Sequence, residues 1–355
     1  GDHRDLHLSI RRQRQMCIRD RCMKTGKLPI QTLERIISSI STKNPRVAVG
    51  PTVGEDAALI DMGDRYLVAT TDPITFTSEK IGWYAVQINA NDIAAMGGIP
   101  EWMMCNILLP TDTSIEVVEN IFKQLKTACE QLGITIIGGH TEVVTKITSP
   151  IITGVMLGEV KKGQETKSSA AQNGDSILMT KFIPIEGCTI LAREARKTIL
   201  ASGVSNDVLE AGKVLLEKPG ISIVKEARIA VSTGKVNAMH DPTEGGLSGG
   251  LAELANASGL GLEINLDAVP IIPCAKEICN SLRLNPLGVI ASGSLLITVP
   301  STDEKVVIDN LTEQGIKVSK IGVMKPKECG LKINMGIHKK DLPLFDQDEV
   351  TRYLG

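Results

Sequence analysis

Residues 239–250 read Met-His-Asp-Pro-Thr-Glu-Gly-Gly-Leu-Ser-Gly-Gly, and the segment that follows, LAELANASG, carries an apolar-faced helical pattern ending at Gly259. A helix start is legible here. Asp241 suits the N-cap, Pro242 the first helical position and Glu244 the third, as in a capping box. Leu247, Leu251 and Leu254 then recur at helical spacing, which turns them toward a core. The glycines are harder to explain, because each costs roughly 1 kcal/mol relative to alanine inside a helix. Glycine is tolerated where another backbone or a ligand comes close, and bare amides at a helix N-terminus attract anions. Two alternatives follow, tight helix packing or an anion site, and the rest of the chain has to separate them.

A chain of 355 residues suggests two domains. Hydrophobic residues make up 42% and charged residues 23%, enough apolar material for a substantial core. Aromatics are only 3%, against stacking on nucleic-acid bases, and 39 Lys plus Arg against 41 Asp plus Glu leave no global basic field. Neither nucleic acid nor a membrane is expected as a partner, since no apolar run reaches the roughly 20 residues that span a bilayer. Eight scattered cysteines form no C-x-x-C pair and read as reduced thiols of a cytoplasmic protein. Residues 1–22 differ from the rest: six arginines without helical or strand period, in a stretch (RRQRQMCIRDR) resembling translated adapter sequence. They are expected to be extraneous or disordered, with Met23 as the natural start.

The remainder alternates strands and helices. A short amphipathic helix is expected over 30–41, glycine-punctuated strands over 47–76, and a helix over 79–96 with Trp83, Val86, Ala90 and Ile93 on one face. Further strands and helices lead to a polar stretch, KKGQETKSSAAQNGD, which marks a domain boundary near residue 165. The domains are then 23–165 and 166–335, with a tail over 336–355 and KVSKIGVM as the last strand. The fold class is α+β or α/β in both halves.

Acids recur beside glycines or at element ends in five places: Gly54-Glu55-Asp56, Thr70-Thr71-Asp72, Asn89-Ala90-Asn91-Asp92, Gly138-Gly139-His140-Thr141-Glu142, and Asp241 onward. Taken singly each is an ordinary turn, cap or solvated helix face. Together, hard oxygen ligands and glycine turns with free amides are what magnesium and polyphosphate require. The ordered set GEDAALI, TTD, NANDIAAMGGIP, GGHTE, HDPTEGGL and GSLLITV resembles the AIR synthase (PurM-like) superfamily over roughly residues 45–325, with DPTEGGL most similar to its hydrogenase maturation branch, HypE. NDIAAMG is shared with thiamine-monophosphate kinase.

The resemblance implies a two-domain PurM-like fold: an N-terminal sheet domain that forms a dimeric β-barrel and a C-terminal α/β domain closing over an ATP cleft. It implies that Asp56, Asp72, Asp92 and Glu142 hold Mg2+. Gly54, Thr71, Asn89, Asn91, Gly138, Gly139, Thr141, Thr243, Gly245 and Gly246 would contact the nucleotide, with Asp241 and Glu142 in catalysis. The chain ends DEVTRYLG, and its last cysteine is Cys329, so the carbamoyl-bearing tail thiol of HypE is not matched. The expected function is therefore general: an enzyme that uses Mg-ATP to phosphorylate an amide- or carboxyl-type oxygen on a small-molecule or protein-borne acceptor. A small-molecule kinase and a non-catalytic ATP- or partner-binding protein are the alternatives.

Overall fold

The computed structural model describes residues 25–40, 42–75, 77 and 79–354; the expectation for residues 1–22 lies outside them. The first domain opens with helix α1 (Ile30–Ile37), followed by strands β1 (Val47–Val49), β2 (Ala58–Asp61) and β3 (Arg65–Ile74). Helix α2 (Ile81–Ala95), strand β4 (Ile99–Pro110), helix α3 (Ile115–Leu132) and strands β5 (Thr135–Val144) and β6 (Ile151–Lys161) complete it. The strands form one sheet in the order β1-β2-β3-β6-β4-β5, antiparallel except for β4 beside β5.

The second domain comprises β7 (Ser176–Thr180), α4 (Ile185–Glu194), α5 (Arg196–Ala201), α6 (Asn206–Val214), α7 (Val224–Ser232), β8 (Ala238–His240) and α8 (Gly246–Ser258). It continues through β9 (Gly261–Asn265), α9 (Pro273–Ser281), β10 (Leu296–Val299), α10 (Glu304–Glu313), β11 (Val318–Lys325), β12 (Leu331–Met335), β13 (His338–Asp341) and α11 (Glu349–Leu354). Its sheet runs β13-β12-β9-β11-β7-β10-β8, with only β12 and β9 parallel. KVSKIGVM is thus not the last strand: β12 and β13 follow it, and β13 draws residues 338–341 of the expected tail into the sheet.

Side-chain alternation shows why this sheet carries helices on both faces. In β7, Ile177 and Met179 join the cluster under α8 with Leu247, Leu251 and Leu254, whereas Leu178 points into the cluster built on α4, α6 and α9. That second cluster does not stop at the domain boundary. It runs on through Tyr84, Val86, Ala90 and Ile93 of α2 into the first sheet. Helix α2 is buried on all sides, not only along the Trp83–Ile93 face, because it lies between β3 and β6 on one side and α3 and α7 on the others. Helix α1 behaves in the opposite way. It ends at Ile37, and its Ile30, Leu33 and Ile37 face an open cavity where a core would otherwise lie.

Asn91 on α2 fixes the docking of the two domains. Its amide nitrogen donates to the Ile221 carbonyl (2.8 Å) and its amide oxygen accepts from the Ile223 N–H (2.9 Å), all in a buried setting. The same loop is held from behind by buried Lys181, whose Nζ donates to the Ser222 carbonyl (2.6 Å) and pairs with Glu226 (2.9 Å). Replacing Asn91 by alanine strands a buried carbonyl and a buried N–H together, which is expected to destabilise the protein by about 2–3 kcal/mol. Thermal unfolding checks this, and an unchanged Tm for Asn91→Ala contradicts the clamp.

Candidate functional site

The loop between β1 and β2 brings three consecutive residues onto the second domain. Gly54 adopts φ +90° and lies so close to α8 that a Cβ there would meet the Glu253 carbonyl oxygen at 2.6 Å. The Glu55 carboxylate accepts the backbone N–H groups of Ser168 and Ser169, both at 3.0 Å. Asp56 Oδ1 sits 2.8 Å from His240 Nδ1, and the far side of that ring, Nε2, lies 3.2 Å from Glu253 Oε2. His240 closes β8, and Glu253 projects from α8.

Three further aspartates share the cavity that this junction borders, an open volume of about 1660 Å³ between the domains. Asp72 lies in β3, two residues before its end, and its backbone is fixed from α2: the Asn89 amide oxygen accepts the Asp72 N–H at 2.9 Å. Asp92, three residues further along that helix, accepts from Thr70 Oγ1 at 2.6 Å. Asp241 enters from the second domain, 2% exposed. Among the described residues, the Oδ2 atoms of Asp56 and Asp241 are buried without a hydrogen-bond partner.

Burial, then mutual repulsion, governs the charge. Asp92 is pushed well above the ordinary carboxylate range by desolvation, then by Asp72 and Asp241. Asp241 is raised likewise by desolvation and then by Asp56. Asp72 and Asp56 are also raised by desolvation, partly offset by Lys27 and His240 respectively. Glu253 goes the other way. Burial alone would raise it, but Lys27 and His240 bring it down to about 2. Lys27 Nζ lies 3.3 Å from Glu253 Oε1 and donates to Thr243 Oγ1 at 3.1 Å, so one cation stands at the rim of an acidic chamber.

Such a chamber suits a hard cation. No three His, Cys, Asp or Glu side chains among the described residues are already gathered tightly enough to hold a metal ion. Magnesium needs only one or two carboxylates, with water and phosphate oxygens filling the other positions, so the donor set fits.

The glycine-rich stretch departs from its expected form. Asp241 is not an N-cap, and residues 241–245 are not helical; α8 begins at Gly246 with Gly245, at φ +89°, before it. The Thr243 carbonyl is the cause: it accepts from both Ala291 N (3.2 Å) and Gly246 N (3.0 Å), pulling the segment across to residue 291 before a helix can form. Each alternative reading then claims its own glycine. Gly246, at φ +66°, is a packing residue whose added Cβ would meet Leu287 O at 2.5 Å and Val289 O at 2.7 Å. Gly245 has room beside it, lines the cavity, and donates its N–H to Asp348 Oδ2 at 2.8 Å. The anion on this amide is the chain's own carboxylate, pushed up to about 6 by its burial.

Of the other expected contacts, Gly54, Thr71 and Thr243 line the cavity, while Asn89 and Asn91 act from behind it. Gly138, Gly139, Thr141 and Glu142 stand apart. Asp72, Gly154, Cys105 and Gly139 are successive partners across β3, β6, β4 and β5. At about 4.8 Å per strand, Gly139 is some 14 Å from Asp72. Glu142 is further along β5 and exposed. Residues not foreseen are Lys27, His240, Glu253 and Asp348. Glu253 had a signal: Gly249, Glu253 and Asn256 repeat at helical spacing opposite the leucine stripe, and all three line the cavity.

Residues 54–160 match the AIR synthase related protein, N-terminal domain, and residues 172–334 match its C-terminal domain. The chain belongs to the AIR synthase related family. It is 28% identical over 331 residues to a Methanocaldococcus jannaschii protein provisionally assigned to hydrogenase expression and formation, covering 89% of this chain and 95% of that one. It is 29% identical over 255 residues to the carbamoyl dehydratase HypE of Rhodobacter capsulatus, covering 70% and 71%. The fold matches a chain of a HypE–HypF complex (TM-score 0.73, 19% identity, 89% of this chain and 100% of that one). It also matches a hydrogenase maturation protein HypE solved with ATP (TM-score 0.65, 22% identity, 92% and 98%). The two-domain PurM-like architecture of this AIR synthase family member is thereby shared with HypE.

The two kinds of glycine separate in a melting experiment. Gly246→Ala is expected to lower stability by about 1–3 kcal/mol through overpacking. Gly249→Ala, where the nearest atom to an added Cβ is Glu244 O at 3.3 Å, is expected to change stability far less. Equal Tm values for the two variants contradict this division.

Proposed function

We propose that this protein is a Mg-ATP-dependent enzyme of the AIR synthase/HypE type that activates an amide- or carboxyl-type oxygen by phosphorylation. The supporting observation is the convergence of four aspartates from two domains on one cavity, two of them with a carboxylate oxygen that no group among the described residues satisfies. Asp56, Asp72 and Asp92 would hold magnesium from the first domain, with Asp241 facing them from the second. Bound magnesium would neutralise the triphosphate and polarise the transferring phosphoryl group. Asn89 and Thr70 fix Asp72 and Asp92. Lys27 supplies a cation for phosphate at the rim, and Leu33 and Ile37 of α1 give an apolar wall against which a base can lie. Asp348 holds the Gly245 amide until a phosphate competes for it. The likeness to HypE relatives favours a protein-borne acceptor, although a small molecule is also compatible with so open a cavity.

A homodimer belongs to the same proposal. Among the described residues the outer strand β5 is paired on one side only, and its Ile136, Ile137 and Val143 are 41%, 51% and 58% exposed. A long apolar edge of this kind invites pairing with another strand, and joining it to a second copy would begin the expected barrel. Gly138, Gly139, Thr141 and Glu142 then keep their nucleotide and catalytic roles only as contacts offered to a partner's cleft.

ATP turnover screened against amides, carboxylates and phosphomonoesters tests the reading. Turnover is expected to require magnesium and to stop with chelator. Asp72→Asn and Asp92→Asn are expected to lower it at least a hundredfold, the scale of losing a charge-stabilising group, without unfolding the protein. Light scattering on the same samples is expected to give a dimer, and Ile137→Lys a monomer. Absence of turnover with every acceptor sinks the enzymatic reading, and turnover indifferent to chelator or to both Asp variants sinks the magnesium assignment; preference for a phosphomonoester would make the protein a small-molecule kinase instead.

A further inference from the structure

His240 lies outside every motif role assigned so far, yet it is 3% exposed and faces a carboxylate from each ring nitrogen. Nδ1 meets Asp56 Oδ1 at 2.8 Å, with Ser168 Oγ at 3.3 Å beside it, and Nε2 meets Glu253 Oε2 at 3.2 Å. Among the described residues, no other side chain is hydrogen-bonded to the Asp56 carboxylate. Its other oxygen, Oδ2, is buried and unpartnered. The orientation of that free oxygen is therefore set by a ring that belongs to the other domain, and the ring is set in turn by Glu253 on the glycine-rich helix.

We propose that His240 is a positioning residue, a rigid bridge from Glu253 to Asp56 that aims the free Asp56 oxygen and makes its aim depend on the docking of the second domain. This rests on the Mg-ATP reading above, in which Asp56 is a metal ligand. Two substitutions divide the ring's functions. An asparagine amide can take the place of Nδ1 and keep the contact with Asp56. A glutamine amide reaches toward the Nε2 position and Glu253 while giving up Asp56.

The test measures Mn2+ affinity by electron paramagnetic resonance in the presence of a non-hydrolysable ATP analogue, with kcat, KM for ATP and Tm on the same samples. His240→Gln is expected to weaken manganese binding about tenfold or more, the range found when a group supporting a metal ligand is removed. Its kcat is expected to fall with it while KM for ATP moves much less. His240→Asn is expected to recover manganese affinity to within about threefold of wild type. Equal losses in the two variants, or wild-type affinity in His240→Gln, overturn the proposal. If neither folds, Glu253→Gln serves in their place: weakened manganese binding supports the bridge and wild-type binding refutes it. A wild-type protein that binds manganese but shows no magnesium-dependent turnover contradicts the enzymatic reading alone, and the variant affinities still decide the part played by His240.

Discussion

Gly54, Glu55 and Asp56 are gripped one after another by the second domain: by the α8 backbone, by the amides of Ser168 and Ser169, and by His240. The cavity depends on this grip. Asp72 and Asp92 belong to the first domain and would remain without it, but Asp241 and the glycine-rich turn would have nothing to face. Asn91 holds the opposite end of the same junction, and the continuous core through α2 makes the two domains one packed unit. The junction thereby confines four carboxylates that repel one another. Their raised proton affinities come first from that burial and then from the repulsion.

The glycine-rich stretch shows how one sequence feature serves two demands. Gly246 has no room for a side chain because the 287–289 segment passes directly against it. Gly245, one residue earlier, takes a positive φ and leaves its N–H free to bind an anion. The chain fills that seat with Asp348, from the segment set apart in sequence as a tail. A buried carboxylate on a helix-start amide also ties α11 to the cavity, so the C-terminal segment is part of its wall.

Much of this was readable beforehand where the signal was local. The acids at 56, 72, 92 and 241 stand at glycine turns and element ends, and the structure places all four along one cavity. Helix α2 was legible from its period, although its burial on every face was not, because that depends on what packs around it. The helix start at 241–245 misled because capping chemistry is a local rule, and a distant N–H at Ala291 outweighs it. Glu142 could not be placed by motif order, since sheet order decides which strands are neighbours and β5 lies three strands from β3. His240 and Lys27 were invisible for a similar reason: their partners are remote in sequence, and nothing in a single chain of letters pairs His240 with Asp56.

Diffraction from crystals grown with Mn2+ and a non-hydrolysable ATP analogue tests the central claim most directly. The account predicts an anomalous manganese peak within coordination distance of at least two of Asp56, Asp72, Asp92 and Asp241, with the triphosphate beside it. A nucleotide bound elsewhere, or manganese absent from all four carboxylates, would contradict it.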